Sequence, residues 1–352
     1  MFMEMLLTGY LANSQSIPSS WSLNTYHSIQ LVLKMKYLIF VFTALCCITA
    51  ITTSSGNRCE AAETEVQRTK HRIDTHIHLY DTRRNIEITW PPENDKILYQ
   101  PHLPDEYSKL AKAAGVTGVV VVEASLRYPD NRWVLDLVED DDFYVGLVGN
   151  IDVTGKDFKK KLTAQKEDSR FVGIRPRNRD SIDFTDKRVL RNLKILADSN
   201  LTMDYLTNGG GIDGLKIIEE VARKIPHLKI VVNHCLGYNF DGEAPSDDWI
   251  SMVKQLASHP NVSCKISGLY QRSTEQPAPK QIAYYQDVLS IIWDSFGTDR
   301  IVYGSNWPVT KHSGSYQSYV DLVDQFISSK GQEARENYYW RNASKIYNLG
   351  IK

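Results

Sequence analysis

The chain has 352 residues, of which 42% are hydrophobic and 24% charged, and its formal net charge is −1. These values are typical of a soluble globular protein and leave room for one large α/β domain or two ordinary ones. The near-zero charge, and the lack of a basic run with interleaved aromatic residues, argue against nucleic acid or an anionic membrane as a partner.

The N-terminal segment has the order of a secretory signal rather than that of a folded element. Lys34 and Lys36 precede an apolar stretch at 37–51, and small residues surround Ala61. We therefore predict a Sec-type signal peptide over residues 35–61, with export to the periplasm or the extracellular space. The apolar stretch is too short for a comfortable bilayer span. No stable membrane span is expected after cleavage, and an uncleaved anchor is the alternative.

The limits of the other N-terminal segments depend on where translation begins. Met1 and Met35 are both candidate starts, and a start at Met35 makes residues 1–34 an upstream extension. Residues 62–70 are then a linker between the signal peptide and a single folded domain over 71–352.

From residue 71 onward, short apolar runs alternate with amphipathic stretches, which is typical of βα units and a parallel sheet. Eight strands with intervening helices in this length predict one (β/α)8 TIM-barrel domain of the α/β class. A doubly wound open sheet is the alternative, but the glycines at 209–211 lack the spacing of a nucleotide-binding turn. The predicted strands are 72–78, 117–123, 143–150, 171–175, 200–205, 228–233, 261–267 and 300–305. The predicted helices are 105–114, 130–139, 186–198, 213–225, 246–258, 281–295 and 316–328.

The first predicted strand carries Asp74, His76 and His78 at alternate positions. Side chains two residues apart in a strand point to the same face, so we expect these three to project together. Two imidazoles aimed at one point are suited to binding a metal ion or to relaying protons.

Other polar residues follow the ends of later predicted strands. In a TIM barrel the chemistry takes place at the carboxyl ends of the strands, so a ring of functional groups is expected there. Arg175 could form two hydrogen bonds to a substrate carboxylate or hydroxyl pair, or instead make a salt bridge, as could the nearby Arg177 and Arg179. The strand-end residues are Glu123, Arg175, Asp204, His234 and Asn306.

Three more features have both a functional and a packing interpretation. Glu123 ends a very apolar strand, and because an unpaired buried charge is costly, it should have a partner or a ligand. Lys265 is expected inside the barrel, either in a polar network or orienting substrate. Trp307 and Tyr270 offer flat faces that could stack on a sugar ring or simply pack.

The connection at 79–102, which contains Trp90, is too long for a plain linker and is predicted to fold over the site. Cys235 and Cys264 are expected to be ordinary buried cysteines.

The chain resembles the amidohydrolase superfamily, in particular the amidohydrolase-related branch that includes sugar-lactone hydrolases and 2-pyrone-4,6-dicarboxylate lactonase. The resemblance covers about residues 71–349 and depends on four motifs in order. They are Asp74-Thr-His76-Ile-His78, Asn233-His234-Cys-Leu-Gly237, Cys264-Lys265-Ile-Ser267-Gly268-Leu and Tyr303-Gly-Ser-Asn306-Trp307-Pro308.

The resemblance implies roles for the matching residues. His76 and His78 match a pair that binds divalent metal in many members and works without metal in some lactonases, and His234 matches a histidine facing the same centre. Asn306 stands where the family usually has an aspartate that activates the attacking water, and Asn233 also replaces a common aspartate. An amide cannot accept that proton near neutral pH. Either Glu123 or His234 is therefore the base, or the protein binds without turnover.

The resulting hypothesis is an exported hydrolase that opens a small lactone of a sugar acid or carboxylated ring, by water attack on the ester carbonyl. A non-catalytic carbohydrate-binding relative and a metal-dependent decarboxylase are the alternatives. The partner is a small-molecule substrate, and the oligomeric state is left open. The cofactor is either none or one divalent ion, Zn²⁺ or Mn²⁺, on His76 and His78 with Glu123 or His234. The predicted catalytic residues are His76, His78, His234 and Asn306, and the predicted substrate-binding residues are Glu123, Arg175, Lys265 and Trp307.

Overall fold

The computed structural model describes residues 69–176, 182–207 and 211–351. The predicted upstream extension, the signal peptide and most of the linker lie outside the described residues, as do Arg177, Arg179, Gly209 and Gly210. In the described ranges every helix is too short or too polar to cross a membrane.

Eight parallel strands form one sheet in which each strand pairs with the next along the chain. The strands are rich in valine, whose branched side chain suits a pleated surface. The strands are β1 (Ile73–Ile77), β2 (Gly118–Val122), β3 (Tyr144–Gly149), β4 (Phe171–Ile174), β5 (Thr202–Tyr205), β6 (Lys229–Val232), β7 (Val262–Ile266) and β8 (Ile301–Tyr303).

The sheet closes on itself between β1 and the residues that follow β8. The backbone N–H of Asn306 donates to the carbonyl of His76 at 2.8 Å, and that of His78 donates to the carbonyl of Trp307 at 2.8 Å. Sequential strand order together with this closure makes the fold a (β/α)8 barrel. The predicted TIM barrel is therefore confirmed, and the doubly wound alternative is wrong.

The strands are buried on both faces, as their continuous apolar runs predicted. In β2, Val120 and Val122 pack in an inner cluster, whereas Val119 and Val121 pack in the outer cluster beneath the helices. Both Cys235 and Cys264 are buried free thiols, as expected.

The helices cover the outer face of the barrel, and several begin at a capping side chain. The carboxylate of Asp186 accepts from the backbone N–H groups of Arg188 and Val189, which starts the helix at Lys187. The helices are α1 (Pro104–Ala113), α2 (Pro129–Leu137), α3 (Phe158–Gln165), α4 (Lys187–Asp198), α5 (Ile212–Lys224), α6 (Asp247–Ala257), α7 (Gln286–Phe296), α8 (Tyr316–Ile327), α9 (Gln332–Glu336) and α10 (Asn342–Tyr347).

Three of these helices were not predicted. α3 is a short helix between β3 and β4, and α9 and α10 follow the last predicted helix. Trp340 lies just before α10, and Tyr347 is its last residue. Both pack on the inner cluster of the strands with Ile73. This C-terminal segment therefore contacts the barrel interior as well as its outside.

β1 contains a bulge that changes which of its side chains share a face. Asp74 pairs with Val119, but the next pairing is Ile77 with Val121. β1 therefore advances three residues over a stretch in which β2 advances two. One extra residue in a strand reverses the direction of the side chains beyond it.

Asp74 consequently faces the helices rather than the histidines. One carboxylate oxygen accepts hydrogen bonds from the hydroxyls of Tyr107 in α1 and Tyr316 in α8, both at 2.9 Å. The other oxygen accepts from the backbone N–H groups of Ser305 and His76, at 2.8 and 3.1 Å. The prediction that Asp74 projects with His76 and His78 is wrong, and the physical reason is the bulge.

Candidate active site

Three buried imidazoles meet at the carboxyl end of the barrel strands. The ring of His76 lies 5.0 Å from that of His78 and 4.5 Å from that of His234, measured between centroids. His76 and His78 come from the end of β1, and His234 follows β6 in a left-handed backbone conformation with φ of 51°. We call these three residues the mouth cluster.

Two imidazoles of the mouth cluster are held by groups outside it. The Nδ1–H of His78 donates to the carbonyl of Val122 at 3.0 Å. The Nδ1 of His234 lies 2.9 Å from the Oγ of Ser267, which also accepts the backbone N–H of His234 at 3.2 Å. The orientation of the rings is therefore set by contacts from β2 and from the segment after β7, not by β1 and β6 alone.

Burial and nearby positive charge keep two of the histidines neutral. The pKa of His76 lies well below its usual value, first because the ring is buried and then because Lys265 is near. The pKa of His234 is also well below its usual value, again through burial first and then through the charge of Arg175. Both imidazoles are thus uncharged at neutral pH and able to accept a proton.

Arg175 connects the mouth cluster to a buried carboxylate. Its Nε donates to Glu123 Oε1 at 2.6 Å and its Nη2 donates to the Glu123 carbonyl at 2.8 Å. Its Nη1 lies 3.3 Å from His76 Nε2. A guanidinium can only donate, so Nε2 accepts and a neutral His76 carries its proton on Nδ1.

The contacts of Arg175 account for the burial of Glu123. Both side chains are only 3% exposed, and the ion pair between them compensates the charge that the sequence predicted would need a partner. Nδ1 of His76 is also buried, and among the described residues it has no hydrogen-bond partner.

A second group of polar side chains, the interior network, consists of Lys265, Asp204 and Tyr347. The ammonium of Lys265 donates to Asp204 Oδ2 and to the carbonyl of Thr75, both at 2.7 Å. The hydroxyl of Tyr347 donates to Asp204 Oδ1 at 3.0 Å. Burial lowers the pKa of Lys265, and Asp204 opposes this effect. These contacts fit the predicted network inside the barrel, and none of them favours the substrate-binding role predicted for Lys265.

The two asparagines that replace family aspartates are also fixed. Asn306 is 1% exposed, and its Nδ2 donates to the Oε1 of Gln271 at 2.7 Å. Asn233 donates through Nδ2 to Asp204 Oδ2 at 2.9 Å. No role was predicted for Gln271 or Ser267, although Ser267 belongs to the third motif and lies two residues after Lys265.

The two predicted aromatic residues fit the packing alternative, and Tyr270 is buried with its hydroxyl donating to the carbonyl of Ser318 at 3.1 Å. Trp307 is completely buried, with its ring 5.2 Å from that of His102 and 5.1 Å from that of Tyr107, and this packing does not support stacking on a substrate. Trp90 is instead the aromatic residue next to the mouth cluster, because its half-buried ring lies 5.2 Å from that of His78. Trp90 belongs to the 79–102 connection, so this segment does reach the site.

The side chains do not fit a divalent metal ion in this arrangement. Catalytic zinc usually has three protein ligands, and in the part of the chain that the structure describes no three His, Cys, Asp or Glu side chains are grouped to hold an ion. His76 Nε2 faces the guanidinium of Arg175. A divalent ion at Nε2 would have to displace this guanidinium and would still lie close to its positive charge, which is unfavourable. No step of the chemistry below is therefore assigned to a metal.

Comparison with known proteins gives a consistent result. The sequence model of the amidohydrolase family matches residues 73–349. An L-fucono-1,5-lactonase from Burkholderia ambifaria is 28% identical over 288 residues, which is 79% of this chain and 96% of that protein.

Two solved structures share the fold. An amidohydrolase from Burkholderia multivorans with bound zinc superposes with a TM-score of 0.71 at 22% identity, over 79% of this chain and 99% of that one. A probable 2-pyrone-4,6-dicarboxylic acid hydrolase from Acinetobacter baumannii with bound citric acid gives a TM-score of 0.65 at 16% identity, over 80% of this chain and 100% of that one.

Proposed function

Since this chain belongs to the amidohydrolase family, we propose that it hydrolyses the lactone of a small sugar acid. The main support is the mouth cluster itself, in which two neutral imidazoles lie beside the fixed positive charge of Arg175. The similarity to an L-fucono-1,5-lactonase over nearly its whole length supports the same class of substrate.

His234 is the proposed general base. Its Nδ1 is occupied by Ser267, which leaves Nε2 for a water molecule. A pKa below the usual value keeps the ring unprotonated across the neutral range, at the cost of weaker basicity. Glu123, the other candidate, is less suited because protonation would break its buried ion pair with Arg175.

The proposed reaction transfers one proton and exchanges one C–O bond for another. Water attacks the lactone carbonyl as His234 takes its proton, and the charge of Arg175 stabilises the developing oxyanion. The ring C–O bond then breaks, and the protonated His234 returns the proton to the departing alkoxide. The product is the open hydroxy acid. His76 and His78 position the reacting groups in this scheme.

Substrate contacts follow from the same geometry. The N–H at His76 Nδ1 can donate to a ring hydroxyl or to the water, and Trp90 offers an apolar surface for the C–H face of a sugar ring. Arg175 and Glu123 are the proposed contacts for the oxygen atoms of the substrate.

The experiment is an assay of acid release from a panel of aldonolactones that includes L-fucono-1,5-lactone. Each is tested with chelator, with Zn²⁺ and with Mn²⁺, because the metal requirement is part of the question. We expect hydrolysis by the parent chain and a loss of at least about a hundredfold in kcat for His234→Gln. His227→Gln is the matched control, since His227 is an exposed histidine paired with Asp198. A parent chain that hydrolyses no lactone under any of these conditions would overturn the proposal.

A binding protein without turnover is the second candidate, and Asn306 is the observation that favours it. An amide in place of a carboxylate removes one proton acceptor from the mouth. If the parent binds aldonic acids without hydrolysing lactones, and Asn306→Asp gains hydrolysis, this second function is correct. Release of carbon dioxide from a hydroxylated aromatic acid with Mn²⁺ would instead point to the decarboxylase alternative.

We further propose that the chain is exported by the signal at 35–61, on its sequence pattern alone. N-terminal sequencing of protein from the expressing cells tests this, with Ala62 as the expected first residue. A mature chain that begins at Met1 or Met35 would refute it.

A further inference from the structure

Gln271, in the turn after β7, contacts the mouth of the barrel through its side-chain amide. Its Oε1 accepts the Nδ2–H of Asn306 at 2.7 Å. Asn306 lies next to His76 across the closure of the barrel, because its backbone N–H donates to the His76 carbonyl. The Oδ1 of Asn306 is buried and has no donor among the described residues.

The two ends of an asparagine amide have nearly the same shape but opposite hydrogen-bonding character. Rotation by half a turn would present a donor where the acceptor now lies. In the structure the oxygen of Gln271 pairs with the NH₂ end of Asn306, which leaves Oδ1 on the side away from Gln271. The Asn306 amide is therefore held in this orientation by a residue that does not itself belong to the mouth cluster.

We infer that Gln271 is a positioning residue that holds Asn306 Oδ1 as an acceptor for an O–H group at the reaction site. The inference rests on the proposed lactonase function and adds a residue to it. An acceptor suits the attacking water or a ring hydroxyl of the substrate, and does not suit the lactone carbonyl, which only accepts.

The turn after β7 explains how Gln271 reaches this position. Gly268 has φ of +66°, and the backbone N–H of Arg272 donates to its carbonyl at 2.9 Å, which closes the turn. A Cβ at Gly268 would lie 2.7 Å from His234 Nδ1 and 3.3 Å from Gln271 Oε1. This glycine therefore allows one short segment to hold His234 through Ser267 and Asn306 through Gln271.

The test compares Gln271→Met, which removes the acceptor at similar length, with Gln271→Glu, which keeps an acceptor. We expect about a tenfold loss in kcat/KM for Gln271→Met and at most about a twofold loss for Gln271→Glu. Gln281→Met is the control, since Gln281 is an exposed glutamine on another loop. Thermal unfolding midpoints are measured for all variants, and we expect them to be unchanged.

A double-mutant cycle separates positioning from a merely structural role. If Gln271 acts through Asn306, then Gln271→Met should cause no further loss in an Asn306→Ala background. A fall in kcat alone would identify the O–H group as the attacking water. A rise in KM that disappears with the matching deoxy-lactone would identify a substrate hydroxyl.

Three results would overturn the inference: additive losses in the cycle, an equal loss in Gln271→Glu, or parent-like kinetics in Gln271→Met. Should the parent hydrolyse no lactone, the proposed function fails on its own, and calorimetric binding of aldonic acids then decides the role of Gln271. In that case a Kd raised about tenfold in Gln271→Met, but not in Gln271→Glu, supports positioning, and an unchanged Kd refutes it.

Discussion

The mouth cluster and the interior network are both buried polar groups of the same barrel, but they differ in how their hydrogen bonds are completed. In the interior network, the carboxylate of Asp204 accepts from Lys265, Tyr347 and Asn233. In the mouth cluster, His76 has a buried N–H at Nδ1 for which the described part of the chain supplies no acceptor.

This difference distinguishes buried polar groups that stabilise the fold from buried polar groups that can bind a ligand. A buried ion pair with all its partners present keeps its charge and holds the elements together, but offers nothing to a ligand. A neutral imidazole with an unused N–H keeps a hydrogen bond for a molecule that arrives later. Burial alone therefore does not distinguish the two groups, whereas the completeness of their hydrogen bonds does.

The largest expected effect comes from breaking the interior network. Lys265→Met leaves the carboxylate of Asp204 buried without its cation, so we expect the free energy of unfolding to fall by about 3–5 kcal/mol. Chemical denaturation measures this. Lys254→Met is the matched control, because Lys254 is exposed on α6, and its effect should stay within about 0.5 kcal/mol.

The double variant Lys265→Met/Asp204→Asn removes both charges and should recover part of the lost stability. A cost for Lys265→Met below about 1 kcal/mol would show that the network is not the closed structural unit described above.

A smaller effect is expected from the protonation of the mouth cluster. His76 and His234 have pKa values lowered from 6.5, so below pH 6.5 the unfolded chain binds protons that the folded chain does not. Their contribution to stability is constant above pH 6.5 and is lost as the pH falls further. With two such groups, the free energy of unfolding should decrease by up to about 2.7 kcal/mol per pH unit.

Urea denaturation between pH 7.5 and 5.5 checks this slope. The double variant His76→Gln/His234→Gln should have a flatter dependence over the same range. Identical slopes for the parent and this variant would mean that the two imidazoles are not held neutral.

The smallest effect concerns Trp90, which extends the mouth cluster toward the substrate. Trp90→Leu should raise KM for a sugar lactone by about three- to tenfold with little change in kcat, because an aromatic contact adds about 0.5–1.5 kcal/mol. The same variant should be close to the parent with unsubstituted δ-valerolactone. Trp293→Leu in α7 is the matched control, since Trp293 packs against Phe326 and Tyr338 instead of His78. Equal losses with both lactones would exclude a stacking role.

The sequence predicted the barrel correctly because strand and helix periodicity are local properties. The run Gly118–Val122 is apolar throughout, and its full burial followed directly from that pattern. The prediction for Asp74 depended on the same periodicity and was wrong. Its spacing from His76 indicated a common face, and one extra residue in β1 reversed it.

The sequence alone determined the number of strands, and it indicated that His76, His78 and His234 lie at strand ends. The tertiary structure alone decided the partners of these residues. Arg175 reaches His76 across 99 positions of the chain and Lys265 reaches Thr75 across 190, and the turn after β7 supplies both Ser267 and Gln271. Side-chain periodicity acts over a few residues, whereas such contacts depend on how the strands are ordered, staggered and closed. The chemistry of the mouth therefore depends on the closure of the barrel.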